Sequence, residues 1–134
     1  MRIKRVNHVG IIVGDLDDAV QSFTEYLGLK LDHVEQYGDE LDIAFLPCGE
    51  ALLELIKPHS DQGANANYLR ENGPGIQHVA FEVDDIGAAL EELDRHGVKA
   101  LGDAPMSGAG GTRIAFLDPQ AFGGILVELC EPIT

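Results

Sequence analysis

Two histidines and two glutamates occupy matching positions in a sequence that repeats itself. Shifting the chain by 70 residues lays VNHVGIIVGDLDDAV (6–20) over IQHVAFEVDDIGAAL (76–90), so that His8 falls on His78. A second repeat lays LLELIKP (52–58) over LVELCEP (126–132), so that Glu54 falls on Glu128. A lone histidine in an apolar strand is most often a core residue, but a histidine that recurs with a matched glutamate indicates a shared chemical role.

The four residues are of the types that bind divalent transition metals. An ionised carboxylate within an apolar strand is costly unless it is paired or bound to a metal ion. Ion pairs are the alternative, but the chain has only nine lysines and arginines, and none recurs beside both glutamates. His8, Glu54, His78 and Glu128 therefore predict a mixed nitrogen and oxygen site for Co, Mn, Ni or Zn. A coincidence of core residues remains the other interpretation.

The elements that position these residues repeat as well. In each half a strand ends at an aspartate suited to cap a helix, Asp15 or Asp85, and a glycine, Gly28 or Gly97, follows the helix. Helical spacing predicts two apolar stripes, formed by Leu16, Ala19, Val20, Phe23 and Leu27 and by Ile86, Ala89, Leu90 and Leu93. Three strands follow each helix, predicted at 31–37, 40–46 and 51–56 and at 98–103, 112–118 and 124–130.

This order of elements predicts an α+β fold. Two tandem βαβββ modules are expected to form a curved, mixed eight-stranded sheet around a concave metal site. We expect one domain over residues 1–134, with module one at about 1–58, a linker at about 59–75 and module two at about 76–134. The linker is expected to hold a short helix around residues 64–71.

Composition limits the partners. The net charge of −14 repels phosphate backbones, so nucleic acid is not an expected partner. The longest apolar runs are interrupted by charges and are shorter than a bilayer-spanning helix, so no membrane association is expected. The N-terminus shows no secretory signal, and Cys48 and Cys130 lack the spacing of a disulfide framework. We therefore expect a cytoplasmic protein with free thiols.

The segments NHVGIIV, LLELIKP, GIQHVAFEVDDI and GGILVELC, within this duplicated order of elements, resemble the vicinal oxygen chelate superfamily. More narrowly, the chain resembles the methylmalonyl-CoA epimerase family over essentially its whole length. The resemblance implies that His8, Glu54, His78 and Glu128 hold the metal, and glutamine is frequent in relatives at the position of Glu54. It also implies an acyl-CoA thioester as the small-molecule partner. A homodimer is expected.

The reaction that the resemblance implies is epimerisation of methylmalonyl-CoA or a related 2-substituted acyl-CoA. The α-proton is removed and returned through a metal-stabilised enolate. Glu128 is the first candidate for the catalytic base and Glu54 the second. Arg113 is the candidate for contact with an anionic part of the substrate. His33, His59 and His96 lie in polar or turn contexts and are expected to be solvated.

The chain departs from relatives at four positions. Relatives often carry a histidine where Gly110 stands and His-Pro-Lys where this chain has Asp118-Pro119-Gln120. Some use a glutamate as base at the position of Ile43, so here the ligand glutamates must act as bases or Glu50 must reach in.

Other members of the superfamily provide the alternatives. One is a glyoxalase I-type lactoylglutathione lyase, which uses a similar metal set. An extradiol dioxygenase fits less well, because its iron site has two histidines and one carboxylate. A metal-free small-molecule-binding protein would have no reason to keep all four ligands.

Overall fold

The computed structural model describes residues 1–133, which contain eight strands and three α-helices. The strands are part of a mixed sheet to which each half of the sequence contributes four, as the α+β prediction requires. The chain divides into two compact units: the first unit is His8–Gln77, and the second unit is Met1–Asn7 together with the chain from His78 on. None of the helices within residues 1–133 is long and apolar enough to cross a membrane.

The first half of the sequence contains, in chain order, β1 (Arg5–Ile12), α1 (Leu16–Glu25), β2 (His33–Tyr37), β3 (Leu41–Cys48), β4 (Ala51–Pro58) and α2 (Ala64–Asn72). The strands lie in the order β2-β3-β4-β1. β1 runs parallel to β4, whereas β2, β3 and β4 are antiparallel neighbours. The short helix predicted between the two halves is α2.

The second half contains β5 (Gly75–Glu82), α3 (Ile86–Arg95), β6 (Met106–Gly108), β7 (Thr112–Phe116), a 3-10 helix (Pro119–Phe122) and β8 (Val127–Pro132). Its strands lie in the order β5-β8-β7-β6. β5 runs parallel to β8, and β6, β7 and β8 are antiparallel neighbours. The repeat in the sequence is therefore also a repeat of strand pairing.

Both long helices begin at the predicted aspartates. The Asp15 side chain accepts a hydrogen bond from the amide of Asp18, and the Asp85 side chain accepts one from the amide of Ala88, each at 3.0 Å. All four predicted apolar residues of α3 pack against the core of the second unit. The prediction for α1 is wrong at Leu27, which is 67% exposed because α1 ends at Glu25, before this residue.

Alternation along the strands gives each unit two faces. In the first unit Ala44, Leu46 and Leu55 form a core with α1, and Ala115, Leu117 and Leu129 do so with α3 in the second. Residues between them in sequence point the other way, because successive strand side chains alternate. This opposite face carries His8 in the first unit and His78 in the second, and we call it the histidine face of each unit.

The predicted strand at 98–103 is wrong. Only Ala100 forms a bridge there, to Leu117, and the third strand from the end is instead Met106–Gly108. Gly102 has a left-handed backbone (φ 62°), which interrupts an extended strand within this segment. The last strand starts at Val127 rather than at residue 124, after the 3-10 helix.

Candidate metal centre

His8 and Glu54 form a buried pair on the histidine face of the first unit. Glu54 lies opposite Gly10 in the parallel pairing of β1 and β4, so it is the diagonal neighbour of His8 on the same face. His8 Nδ1 is 3.2 Å from Glu54 Oε2, and the two residues are 5% and 6% exposed. Gly10 contributes no side chain, which leaves room for imidazole and carboxylate to meet.

His78 and Glu128 form the equivalent pair in the second unit. Glu128 lies opposite Ala80 in the parallel pairing of β5 and β8, again two residues beyond the histidine. His78 Nε2 is 3.2 Å from Glu128 Oε1, and the two residues are 5% and 3% exposed. The small side chain of Ala80, like Gly10 in the first unit, leaves room for the imidazole and the carboxylate to meet. The strand offset and the distance are the same in both units, but the nitrogen nearest the carboxylate is Nδ1 in His8 and Nε2 in His78.

An aromatic ring flanks each glutamate. Phe45 lies opposite Glu54 on β3, and Phe116 lies opposite Glu128 on β7. The ring of Phe116 also meets His78 edge to face, with centroids 5.3 Å apart. These rings displace water from the carboxylates, and a carboxylate in such surroundings requires a compensating positive charge or hydrogen-bond donors.

The chemistry of the two pairs fits a divalent transition metal ion. Each pair offers one imidazole nitrogen and one carboxylate, which are common ligand atoms for such ions. Burial removes most competing water, and Gly10 and Ala80 leave space beside the donors. The predicted ligands are thus paired as His8 with Glu54 and His78 with Glu128.

Arg113, the predicted substrate contact, lies on the opposite face of the sheet from Glu128. It is exposed on β7, and alternation places its side chain on the face of Ala115, which packs against α3, rather than on the face of Glu128. Glu50 is exposed in the turn between β3 and β4. Neither residue is part of the two buried pairs.

The positions at which the chain departs from relatives have clear structural settings. Ile43 is buried on the histidine face of the first unit. Gly110 lies in the turn of the β6–β7 hairpin with a left-handed backbone (φ 73°). Asp118 caps the 3-10 helix by accepting a hydrogen bond from the Gln120 amide at 3.0 Å. Asp118 therefore has a structural task of its own here.

Sequence reasoning missed a buried carboxylate, Glu82, on the histidine face of the second unit. Asn7 Nδ2 donates to Glu82 Oε1 at 3.0 Å, and Lys4 Nζ and Arg5 Nε lie 3.6 and 3.8 Å from Oε2. These contacts tie the N-terminal segment to β5. The signal was a glutamate in the apolar stretch VAFEV, two places beyond Ala80 and thus on the face of His78.

Sequence reasoning also missed the environment of His33, which we expected to be solvated. His33 Nδ1 lies 2.6 Å from Asp32 Oδ2, and His33 Nε2 lies 2.8 Å from Glu35 Oε2. The hydrogen bonds to Glu35 and then Asp32 raise the pKa of His33 above its usual value. The available signal was the alternation in HVEQY, which puts His33 and Glu35 on one face.

Known proteins share both the sequence and the fold. The model of the glyoxalase/bleomycin resistance protein/dioxygenase superfamily matches residues 7–116. The ethylmalonyl-CoA/methylmalonyl-CoA epimerase of Cereibacter sphaeroides is 35% identical over 95% of this chain and 97% of its own. The crystal structure of methylmalonyl-CoA epimerase from Mycobacterium tuberculosis superposes with a TM-score of 0.92 at 35% identity, covering 98% of this chain and 90% of that one.

A further solved structure is a methylmalonyl-CoA epimerase in complex with methylmalonyl-CoA. It has a TM-score of 0.92 and 30% identity and covers 99% of this chain and 97% of its own. These relatives confirm the predicted α+β fold and the prediction of an enzyme of the racemase and epimerase class. By the family match and by these relatives, the chain belongs to the glyoxalase/bleomycin resistance protein/dioxygenase superfamily, also called the vicinal oxygen chelate superfamily.

Proposed function

We propose that this protein epimerises methylmalonyl-CoA or a related 2-substituted acyl-CoA. The observation that carries the proposal is the duplicated, buried histidine–glutamate pair, with one 3.2 Å contact in each unit. It occurs on a chain whose relatives include epimerases of acyl-CoA thioesters, one of them solved with methylmalonyl-CoA bound. A buried carboxylate is the kind of group that can act as a general base towards a proton next to a thioester carbonyl.

We further propose that His8, Glu54, His78 and Glu128 together hold one divalent transition metal ion, Co, Mn, Ni or Zn. When bound, such an ion supplies a Lewis acid that stabilises negative charge on the thioester oxygen. Support comes from the donor chemistry of the two pairs and from their matching strand offset and contact distance. The resemblance to relatives points to the same four residues.

Proton transfer is the task of the glutamates in this proposal. Glu128 accepts the α-proton: the C–H bond breaks, its electron pair remains in the enolate, and an O–H bond forms on the carboxylate. His78, 3.2 Å from Glu128 Oε1, orients this carboxylate, and Phe116 on the neighbouring strand limits access of water. Glu54 is the second candidate for this role. A contact of Arg113 with an anionic part of the substrate also stays a prediction.

Proton NMR in deuterated water tests the proposal with metal-reconstituted protein and methylmalonyl-CoA. We expect loss of the α-proton signal with the parent protein. With the epimer that Glu128 deprotonates, Glu128→Gln should slow the loss by about 10²–10⁴-fold, the usual contribution of a general base. Glu91→Gln, an exposed carboxylate on α3, serves as the charge-matched control and should exchange at the parent rate.

Two results would contradict the proposed epimerase activity. Turnover of the glutathione hemithioacetal without exchange of any CoA thioester would assign the glyoxalase I-type reaction instead. Binding of an acyl-CoA without exchange, by protein shown to contain metal, would leave only a binding protein.

We also propose a homodimer in the cytoplasm, as the sequence led us to expect. Light scattering during size-exclusion chromatography tests the first point, since a dimer has twice the chain mass of 14.4 kDa. Fractionation of cells that express the tagged full chain tests the second. A monomeric mass or a particulate location would contradict the respective proposal.

A further inference from the structure

One row of side chains links the edge strand β2 to a proposed metal ligand. The ring of His33 stacks on that of Phe45, with centroids 4.5 Å apart and an interplanar angle of 7°. Phe45 lies directly opposite His33 on one side and Glu54 on the other. His33 therefore lies on the histidine face of the first unit, in the same row as Glu54.

Glu35 stands in the next row of the same face. It is two residues beyond His33, so both side chains lie on one side of β2. Its row continues through Ile43 on β3 to Ile56 on β4. The histidine face of the first unit thus has a carboxylate at its edge, and Ile43 is the residue directly beside it.

The side chains between Glu35 and Glu54 on this face are apolar and buried, namely Ile43, Phe45 and Ile56. Two strand spacings separate β2 from β4, roughly 10 Å. Glu35 lies beside Ile43 and is 35% exposed at its side chain, so its carboxylate is accessible to solvent.

A hydrogen bond from His33 holds Glu35 in place. Both ring nitrogens of His33 face carboxylate oxygens, at 2.6 Å from Asp32 and 2.8 Å from Glu35. Because a carboxylate only accepts, both nitrogens must donate, and the ring is an imidazolium. The ring donates to Glu35 while it stacks on Phe45, and this restricts the direction of the Glu35 carboxylate.

We propose that Glu35 is a catalytic base for one of the two substrate epimers, with His33 as its positioning residue. This inference rests on the proposed epimerase function and names its second base, a role considered above for Glu54. Glu54 then serves as a metal ligand alone.

The step balances with groups already named. Glu35 takes the α-proton of one epimer: the C–H bond breaks, the electron pair stays in the thioester enolate, and Glu35 becomes a carboxylic acid. For this epimer Glu128 starts as the carboxylic acid, protonated by exchange with solvent. It delivers its proton to the other face of the enolate, which inverts the centre and leaves Glu128 as a carboxylate. A proton returned by Glu35 restores the starting epimer, now with hydrogen exchanged from solvent.

Separate measurements on the two epimers test the base. Glu35→Gln keeps the shape and one hydrogen bond but cannot accept the proton. We expect its epimerisation rate to fall by about 10²–10⁴-fold. Deuterium exchange should be lost for the epimer that Glu35 deprotonates and should continue near the parent rate for the other. Glu25→Gln on α1 removes the same charge from an exposed site and should change neither rate.

The outcomes separate this inference from the proposed function. Parent rates for both epimers with Glu35→Gln, or an equal loss for both, would overturn the role of Glu35 while the epimerase stands. Glu35→Asp, which retains the carboxylate, provides a second variant and should restore exchange of the affected epimer in part. Absence of exchange with the parent protein would overturn the epimerase and this inference together.

A pH profile tests the role of His33. Glu35 and Asp32 are the charged groups that face the ring, and Phe45 of β3 stacks on it without charge. Above the raised pKa of His33 the ring keeps one N–H, so one of its two hydrogen bonds is lost. We expect kcat/KM of the parent to fall in that alkaline range, and His33→Gln to lack this dependence.

His59→Gln is the matched control, because His59 Nε2 also pairs with a carboxylate, Asp42, at 2.9 Å. It should keep the alkaline decline of the parent. An unchanged profile in His33→Gln would overturn the positioning role of His33.

Discussion

A histidine's neighbours decide its chemistry in this protein. His8 and His78 are buried beside glutamates, whereas His33 is about half exposed between two carboxylates. The buried imidazoles offer nitrogen atoms of the kind that bind a metal, whereas hydrogen bonds to Glu35 and Asp32 raise the pKa of His33 and favour its imidazolium form. The same side chain is thus a candidate ligand in one place and a candidate positioning group in another.

Loss of one histidine tests the metal centre. We expect His8→Ala to lower the metal affinity by more than the 10–100-fold typical of losing a mere supporting residue. His96→Ala removes an exposed histidine at the end of α3 and should leave the metal content unchanged. Elemental analysis of the purified variants provides the measurement, and equal metal content in both would dismiss His8 as a ligand.

At the scale of elements, the duplicated caps fix where the two long helices start. Asp15 and Asp85 each accept a hydrogen bond from the amide three residues on, at 3.0 Å. Each cap satisfies a donor that the first helical turn leaves without an intrahelical partner. The helices in turn cover the apolar face of the strands, and so leave the histidine face for chemistry.

Removal of either cap should cost similar stability. We expect Asp15→Ala and Asp85→Ala each to lower the free energy of unfolding by about 1 kcal/mol, within the usual range for a lost cap. Urea denaturation measures the change. Asp103→Ala removes an exposed loop carboxylate as a control, and a variant no less stable than this control would show that the cap contributes nothing.

At the scale of the whole molecule, charge opposes the proposed substrate. The chain carries a net charge of −14, and an acyl-CoA carries several phosphate charges. Like charges slow association at low ionic strength, and salt screens this repulsion over a distance of about 10 Å at 0.1 M. Binding must therefore depend on short-range contacts rather than on long-range attraction.

Stopped-flow measurements of acyl-CoA binding test this reasoning. We expect the association rate to rise as salt increases from low concentration towards 0.1–0.2 M, roughly the range over which screening sets in. A neutral propionyl-pantetheine thioester, which lacks the nucleotide phosphates, should show little change. A rate that falls with salt would instead indicate steering by local basic residues such as Arg2, Lys4 and Arg5.

The sequence by itself determined the duplication, the four candidate ligands, both helix caps and most strands. These features are local or periodic: a cap depends on residues three apart, and a strand on alternation over a few residues. The strand predicted at 98–103 is wrong because the pattern of this segment resembles a strand, whereas the left-handed backbone at Gly102 interrupts the extended conformation.

Only the tertiary structure decided which side chains meet. The parallel register of β1 with β4 and of β5 with β8 makes each glutamate the diagonal neighbour of a histidine. The antiparallel register of β2 with β3 places His33 over Phe45 and Glu35 beside Ile43. Strand register depends on packing between residues far apart in the chain, and a shift by one residue would turn these side chains to the other face.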